Sequence, residues 1–485
     1  MSDSSTGVVA ALVGGDAVTT AGTYTIDNPY TEATLAEIAD CGVAEADAAV
    51  EAARAAQPAW AAAPLERRRA VLDTAAETLE RERDLLVDLA IRDTGAPCAV
   101  AADLQVDAAV ARLRAWARRD ERTLAMAGPP PAAGLTGSVR RIPVGVVACI
   151  SPYNFPLLAM IGKVAPALFA GNAVVMKPAP QDPLLVHRLA LALAGALRAQ
   201  DAPAGAVNLV TGAGAQAGAA LVDNPDVGAV SFTGSTAVGE QIYRSAAPST
   251  KRLLLELGGK GAMIVRADAD LDAVVRSATR TWTVQAGQVC LTTARILVDH
   301  RVHDELVALL TNRLTALRYG DPAEPTTDIT PLISDRQRRH VAGLVAAARA
   351  EGSTVAQAPG APERGWFHPA TLLTECAPQH TAMQEEAFGP LLCVMRTADD
   401  EEAVAAANAT RFGLSNYVFT RDRPAAERIA GRLRSAQVGI NTVARHPDLP
   451  FGGLGASGLG RSGGAYALDV YTDCQAVATA EGTVE

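Results

Sequence analysis

The chain has 485 residues, 49% hydrophobic and 20% charged, with a formal net charge of −10. That size calls for two or three domains with ample material to bury. The acidic balance, with no Lys/Arg block and little aromatic interleaving, argues against a nucleic-acid partner, because phosphate neutralisation needs clustered cations.

The opening "MSDSSTGVVAALVGGDAV" lacks a basic leader, so no secretory signal is expected. From Val43 to Ala101 the chain is Ala-rich with helical spacing, and Pro58 and Pro64 are expected to divide it into two or three helices. Helical period continues over 104–122 and ends in the basic run "RLRAWARRDER", which reads as a solvated helix face. "AGPPPAAGLTGS" at 127–138 reads as a loop. Strand-like and helical segments then alternate: "VGVVACI", 157–170, "NAVVMK", 184–199, "GAVNLVTG", 215–223 and "VGAVSFTG". That pitch predicts βαβ units around a parallel sheet, hence an α/β fold. A second alternating region runs from Lys251 to about Phe451. The longest apolar run, "LALALAGAL", is too short to cross a bilayer, so no membrane partner is expected.

Seven scattered cysteines, with no CxxC pair and no zinc-like His spacing, exclude a metal centre from the reading and suit a reducing cytoplasm. Cys290, in "QAGQVCLTTAR", is either a packed small residue or a nucleophile. In "SFTGSTAVG" a strand runs through Phe232 into Gly234 and Ser235, where a helix start reaching Val238 offers backbone N–H groups and a hydroxyl to a pyrophosphate. Gly212, Gly214 and Gly218 make a further glycine run that is either a turn or a phosphate cradle. Glu256 ends an apolar strand, as a desolvated base or as a carboxylate bonded to backbone N–H groups. Asn154 sits in a Pro-bracketed turn, as a donor to an oxyanion or as a stabiliser of its own turn.

With "RIPVGVVACISPYNFP", "GNAVVMKP", "FTGST", "ELGGK", "GQVC", "EEAFGP" and "PFGGLGASGLGR" following in order over nearly the whole length, the chain resembles the aldehyde dehydrogenase superfamily. The resemblance implies an aldehyde dehydrogenase-like fold. It assigns a Rossmann-like cofactor domain to 1–123 and 144–257 and an α/β catalytic domain to 258–458. A small oligomerisation ribbon from 124–143 and 459–485 would make a homodimer or homotetramer. It implies that the Cys290 thiolate attacks an aldehyde, that Asn154 and the Cys290 N–H hold the oxyanion, that hydride passes to NAD or NADP, and that Glu256 activates the water that releases a carboxylic acid. By the same mapping Ile150, Ser151, Pro152, Tyr153, Lys177, Pro180, Gly214, Gly218, Phe232, Gly234, Ser235, Val238, Leu257, Glu386 and Phe388 contact the cofactor.

Three departures from the family pattern bear on function. Pro180 stands where a carboxylate often binds the adenosine ribose, which brings NADP within reach beside NAD. Ser462 replaces a frequent Glu, which puts a proton relay from Glu256 in question; Lys163 remains for it, although a lysine at a helix start equally suits a solvated role. Gly162 and Val284 replace bulkier residues, so the expected tunnel is wide, with Tyr153, Phe155, Leu158 and Phe451 keeping it apolar. A bulky apolar aldehyde, aromatic or branched, is the substrate expected. Arg445 and His446 at the mouth point to the alternative, a semialdehyde bearing a carboxylate. A CoA-acylating enzyme would share Cys290 and Asn154 but has no need of Glu256, and a non-catalytic structural protein needs neither thiol nor base.

Overall fold

The computed structural model describes residues 7–130 and 132–480. An eight-stranded sheet has at its centre five parallel strands in the order Arg252–Glu256, Val227–Thr233, Val146–Ile150, Ala173–Lys177 and Val207–Leu209. The chain moves outward one way from Val146–Ile150 through 173–177 to 207–209, then returns to the other side at 227–233. The crevice where strand order reverses therefore opens beside Ile150 and Thr233, the usual place for a ligand in such sheets. These strands read as continuous apolar runs because helices cover both faces, and Val146–Ile150 and Ala173–Lys177 are buried throughout.

A second sheet of seven strands has the order 354–357, 371–374, 391–397, 293–299, 261–265, 415–419, 437–440, all parallel except the first. Cys290 and Glu386 precede its strands Thr293–Asp299 and Leu391–Thr397. Carboxyl ends of the first sheet thus contribute to the same centre as amino ends of the second. Leu135–Pro143 and Thr472–Ala480 pair antiparallel over nine positions as a separate two-stranded ribbon.

Two local expectations are corrected. Pro58 lies inside the helix Val43–Ala62, near its end, where one missing hydrogen bond is tolerated; Pro64 does separate it from Leu65–Arg81. The segment read as loop to 138 becomes strand at Leu135, because its partner is a tail more than 330 residues away that local pattern does not reveal.

Asn172 of the "GNAVVMKP" turn is fully buried. Its amide donates to the carbonyls of Ala167 (3.1 Å) and Tyr471 (2.9 Å) and accepts from the Gly145 N–H (3.0 Å). It ties a helix end, a strand entry and the start of the C-terminal ribbon. Asn172→Ala strands buried polar groups at all three and is expected to cost about 2–4 kcal/mol in urea unfolding.

Candidate active site

The loop that leads to Cys290 is held in an unusual backbone. Gln285, Ala286 and Gly287 are consecutive left-handed residues with φ of 50°, 52° and 73°. Gly287 has no alternative, since a Cβ there would lie 2.3 Å from the Gly389 carbonyl. The loop is fixed by amides. Asn154 Nδ2 donates to Gln288 O (2.8 Å), Gln285 Nε2 donates to Asn154 O (2.7 Å), and Gln288 Nε2 donates to Gln285 O (3.0 Å). Gln105 Nε2 adds a bond to Asn154 O (3.3 Å). Asn154 therefore serves the cysteine loop across the two sheets rather than its own turn. Its amide is thereby fixed against Gln288, two residues before Cys290.

Cys290 is a free cysteine, half-buried as a residue, whose thiol is turned inward. Its own N–H points to the sulfur, and the Tyr417 hydroxyl anchors the next carbonyl, Leu291 O, at 2.7 Å. Burial, then the Glu386 and Glu256 carboxylates, push the thiol up to about 12, with Arg445 acting the other way. The resting thiol is thus neutral.

Glu256, at the end of its strand, accepts from Thr233 Oγ1 (3.2 Å) and from the Ser462 hydroxyl. Thr233 in turn accepts from Lys163 Nζ (2.6 Å), which also reaches Ser231 Oγ at 3.4 Å. Lys163 is buried within the helix Pro156–Phe169, not solvated; desolvation lowers its pKa and Glu256 partly offsets this. A continuous path Glu256–Thr233–Lys163 therefore exists, and Ser462 supplies a hydroxyl where the family often has a carboxylate.

The predicted cofactor contacts gather at the crevice. Ser235 caps the helix Thr236–Ala246, accepting from Val238 N at 3.4 Å, so the helix start faces outward beside Gly234. A Cβ at Gly234 would meet Phe232 at 2.5 Å, and one at Gly218 would press on the Lys177 alkyl chain at 3.3 Å. Leu257 is buried, its side chain filling the space that Gly239 leaves. Gly214 stands exposed before the helix Gln216–Asp223, and Pro180 lies in the turn after Lys177. The Lys177 ammonium donates to the Pro178 carbonyl (3.2 Å), and burial brings it down to about 8. Among the described residues, buried Ser151 Oγ has no hydrogen-bond partner. Ile150 and Pro152 flank Ser151 at the strand end, and the Tyr153 ring meets Phe388 edge-on at 5.6 Å. Glu386 accepts from Gly259 N (2.8 Å), and burial raises it to about 7. A Cβ at Gly258 would lie 2.1 Å from its carboxylate. Donors at Lys177 and Ser151, a capped helix start and a carboxylate beside the thiol fit a dinucleotide with hydroxyls to bind.

On the substrate side the structure overturns one expectation. The space at Gly162 is filled by Arg112: a Cβ there would lie 2.8 Å from its Nη1, which donates to Leu158 O at 3.3 Å. Arg112 belongs to the run read as a solvated face, and desolvation lowers its pKa, with Arg445 acting the same way and Glu256 opposing. Helical spacing alone would have turned Arg112 toward the Lys163 helix only if that helix's place were known. Arg445 stacks over the Phe451 ring at 4.5 Å, and its buried Nε has no hydrogen-bond partner among the described residues. Phe451 and Ser462 exchange backbone hydrogen bonds of 2.7 Å, which links Arg445 to the residue holding Glu256. Phe155, Leu158 and Val284 pack on the main core as partly buried residues. His446 is exposed and turned to its own loop, accepting from Asp448 N.

A sequence model of the aldehyde dehydrogenase family matches residues 17–477. A 2-hydroxymuconic semialdehyde dehydrogenase from Pseudomonas sp. (strain CF600) is 38% identical over 462 residues, covering 92% of this chain and 93% of that protein. A vanillin dehydrogenase from Corynebacterium glutamicum is 36% identical, covering 92% of each. The crystal structure of PnpE in complex with nicotinamide adenine dinucleotide superposes with a TM-score of 0.93 at 34% identity, over 98% of both chains.

Because the Cys290 thiol is raised, alkylation by iodoacetamide in the absence of cofactor should accelerate about tenfold per pH unit from 7 to 9 without levelling. Removing one of the anions that raise it, as in Glu256→Gln, should speed alkylation at fixed pH while abolishing turnover. Peptide masses over time follow both.

Proposed function

This chain belongs to the aldehyde dehydrogenase family, and from that premise we propose that it oxidises a semialdehyde bearing a carboxylate to the corresponding dicarboxylic acid. The observation that carries this reading is the pairing of Arg112 and Arg445. Two guanidinia that repel one another lie in a desolvated space within electrostatic reach of Glu256, and Arg445 also of Cys290. Glu256 acts as a counter-charge to both, with Asp448 also reaching Arg445, and an apolar aldehyde would add no further anion to this partly desolvated space. A substrate carboxylate answers both, and arginine binds carboxylates bidentately. Similarity to 2-hydroxymuconic and 2-aminomuconic semialdehyde dehydrogenases supports the same substrate class. The Tyr153 and Phe451 rings would then pack the chain between carboxylate and carbonyl.

Cys290 attacks the carbonyl carbon, and the oxyanion is met by the Asn154 amide and the Cys290 N–H. NAD(P), when bound, supplies the hydride acceptor. Lys177 and Ser151 would hold its hydroxyls, the Ser235-capped helix start its pyrophosphate, and Glu386 and Phe388 its nicotinamide end. Glu256, released from Ser462 and Thr233, takes the proton of the hydrolytic water, and Lys163 accepts or returns charge through Thr233. That path favours hydrolysis over transfer to CoA. Asp40 acts on Lys177 from nearby and opposes a 2′-phosphate, so NAD is the preferred cofactor despite Pro180. The ribbon of 135–143 and 472–480 stands apart from both large sheets and would join copies of the chain. Seven free thiols suit a cytoplasmic protein.

Arg112→Met and Arg445→Met should each lower kcat/KM for a carboxylate-bearing semialdehyde by about 100-fold, in line with losing one partner of a buried charge pair, and change that for benzaldehyde by far less. Gly162→Leu should mimic Arg112→Met by displacing the guanidinium. A higher kcat/KM for benzaldehyde than for the semialdehyde in the unaltered enzyme would overturn the reading. For the cofactor, kcat/KM should be greater with NAD than with NADP, and Asp40→Asn should narrow the difference.

A further inference from the structure

On the face of the first sheet that shares its core with the helix Pro156–Phe169, one position breaks an apolar surface. Ser231 lies in the strand Val227–Thr233, paired with Cys149 on one side and Leu254 on the other. Cys149, Leu254 and Ala229 all belong to that core, so the two-residue period of the strand turns Ser231 into it as well. Ser231 is fully buried, and so is Tyr471, whose hydroxyl donates to Ser231 Oγ at 2.9 Å. Burial keeps the Tyr471 phenol protonated, and hence a donor, by raising it well above its ordinary range.

Two buried hydroxyls bonded only to each other gain little over an alanine and a phenylalanine in their places, because exchanging both partners of a hydrogen bond for apolar groups is close to neutral. Here there is a third member. Lys163 Nζ donates to Ser231 Oγ (3.4 Å) and to Thr233 Oγ1 (2.6 Å), and Thr233 Oγ1 donates on to Glu256 (3.2 Å). Among the described residues the hydrogen-bond partners of this buried ammonium are those two hydroxyls, and the titratable groups acting on it are Glu256, Cys149 and Arg112. An ammonium on a flexible four-carbon stem stays only where its acceptors are fixed. The strand fixes Ser231 and Thr233, and the Tyr471 hydroxyl fixes the Ser231 side chain. Without that second acceptor the nitrogen is free to leave Thr233, whose hydroxyl loses the donor that turns its own hydrogen toward Glu256. Tyr471 is held in turn by its carbonyl, which accepts from Asn172 Nδ2 (2.9 Å) and Val144 N (3.3 Å), and the next residue opens the ribbon strand Thr472–Ala480.

We propose that Ser231 and Tyr471 are positioning residues for hydrolysis: as one unit they hold Lys163 against Thr233, and so keep Glu256 oriented toward the water that attacks the acyl-enzyme. This role rests on the reading of Glu256 as the base, and it adds the root of the ribbon to the groups that serve that base. Both residues lie buried behind Lys163, so acylation of Cys290 does not depend on them, whereas release of the acyl group does.

The test acylates the full-length enzyme with a pulse of p-nitrophenyl acetate, which needs no cofactor and is indifferent to the aldehyde the enzyme prefers. Loss of the acetyl group from the Cys290 peptide is then followed by mass. Glu256→Gln should slow that loss about 100-fold or more, the low end of what a general base contributes. Ser231→Ala and Tyr471→Phe should each slow it about tenfold, a part of that contribution, while p-nitrophenolate appears in the pulse at the parental rate. The double variant should be no slower than either single one, because residues that act as a unit are not additive. Ser231→Thr, which keeps the hydroxyl, should release acetyl close to the parental rate, and in a Lys163→Met background Tyr471→Phe should have no further effect. Should the Ser231 or Lys163 variants fail to fold, Tyr471→Phe, which keeps the ring, still decides by the split between acylation and release. Parental release in Ser231→Ala and Tyr471→Phe, with Glu256→Gln slow, overturns the proposal alone. Effects that multiply in the double variant overturn it too, since they mark two independent structural losses. Parental release in Glu256→Gln overturns the reading of the base, and the proposal with it.

Discussion

The amide cross-link between Asn154 and the Gln285–Gln288 segment is the contact on which the site depends. A left-handed non-glycine residue costs of order 1–3 kcal/mol, and Gln285 and Ala286 are two in succession. The hydrogen bonds from Gln105, Asn154, Gln285 and Gln288 return about 1 kcal/mol each. Strain and restraint are thus of the same size, and the cysteine loop keeps its shape only while the turn after Val146–Ile150 holds it. Because that turn also begins the dinucleotide crevice, the nucleophile and the cofactor site share one anchor. Neither sheet alone builds the centre.

Electrostatics divides the space around the thiol. Glu386 and Glu256 lie on the cofactor and base sides, and both disfavour the thiolate. Arg445 opposes them from the substrate side and is joined there by Arg112. A substrate carboxylate would quench the two cations while its carbonyl approached the sulfur. Resting neutrality of the thiol slows its reaction with stray electrophiles, and under the proposed function the Asn154 amide and the Cys290 N–H would stabilise the charge that develops on attack.

Much of this was legible in the chain. Strand ends at Ile150, Lys177 and Glu256 follow from apolar runs closed by polar or glycine residues, and the motifs around them carry the chemistry in order. What pattern could not give was position in space. Arg112 is indistinguishable from Arg118 in a basic helix end, and only the helix Pro156–Phe169 packed against it makes one a site residue and leaves the other exposed. Gly162 illustrates the same limit: a missing side chain signals room, but not whether substrate or a neighbouring guanidinium takes it. In sequence Ser462 only puts a relay in question, because a hydroxyl's partner depends on the loop that folds it back, here through the paired backbones of Phe451 and Ser462.

That last pairing has a mechanical consequence. The Phe451 ring lies beneath Arg445, its backbone grips Ser462, and the Ser462 hydroxyl donates to Glu256. A substrate carboxylate drawing on Arg445 would pull on the same short loop that restrains the base. Glycine at 463 is needed for this closeness, since a Cβ there would lie 2.4 Å from the Leu449 carbonyl and 2.8 Å from Arg445 Nη2. Where a carboxylate at position 462 would repel Glu256, a serine donates to it and can let go without moving charge. Under the proposed function, substrate recognition and release of the base for hydrolysis would therefore be joined through four residues, with the cost of breaking one neutral-donor hydrogen bond to a carboxylate, about 1.5–3 kcal/mol, set against the gain from pairing two partly buried guanidinia.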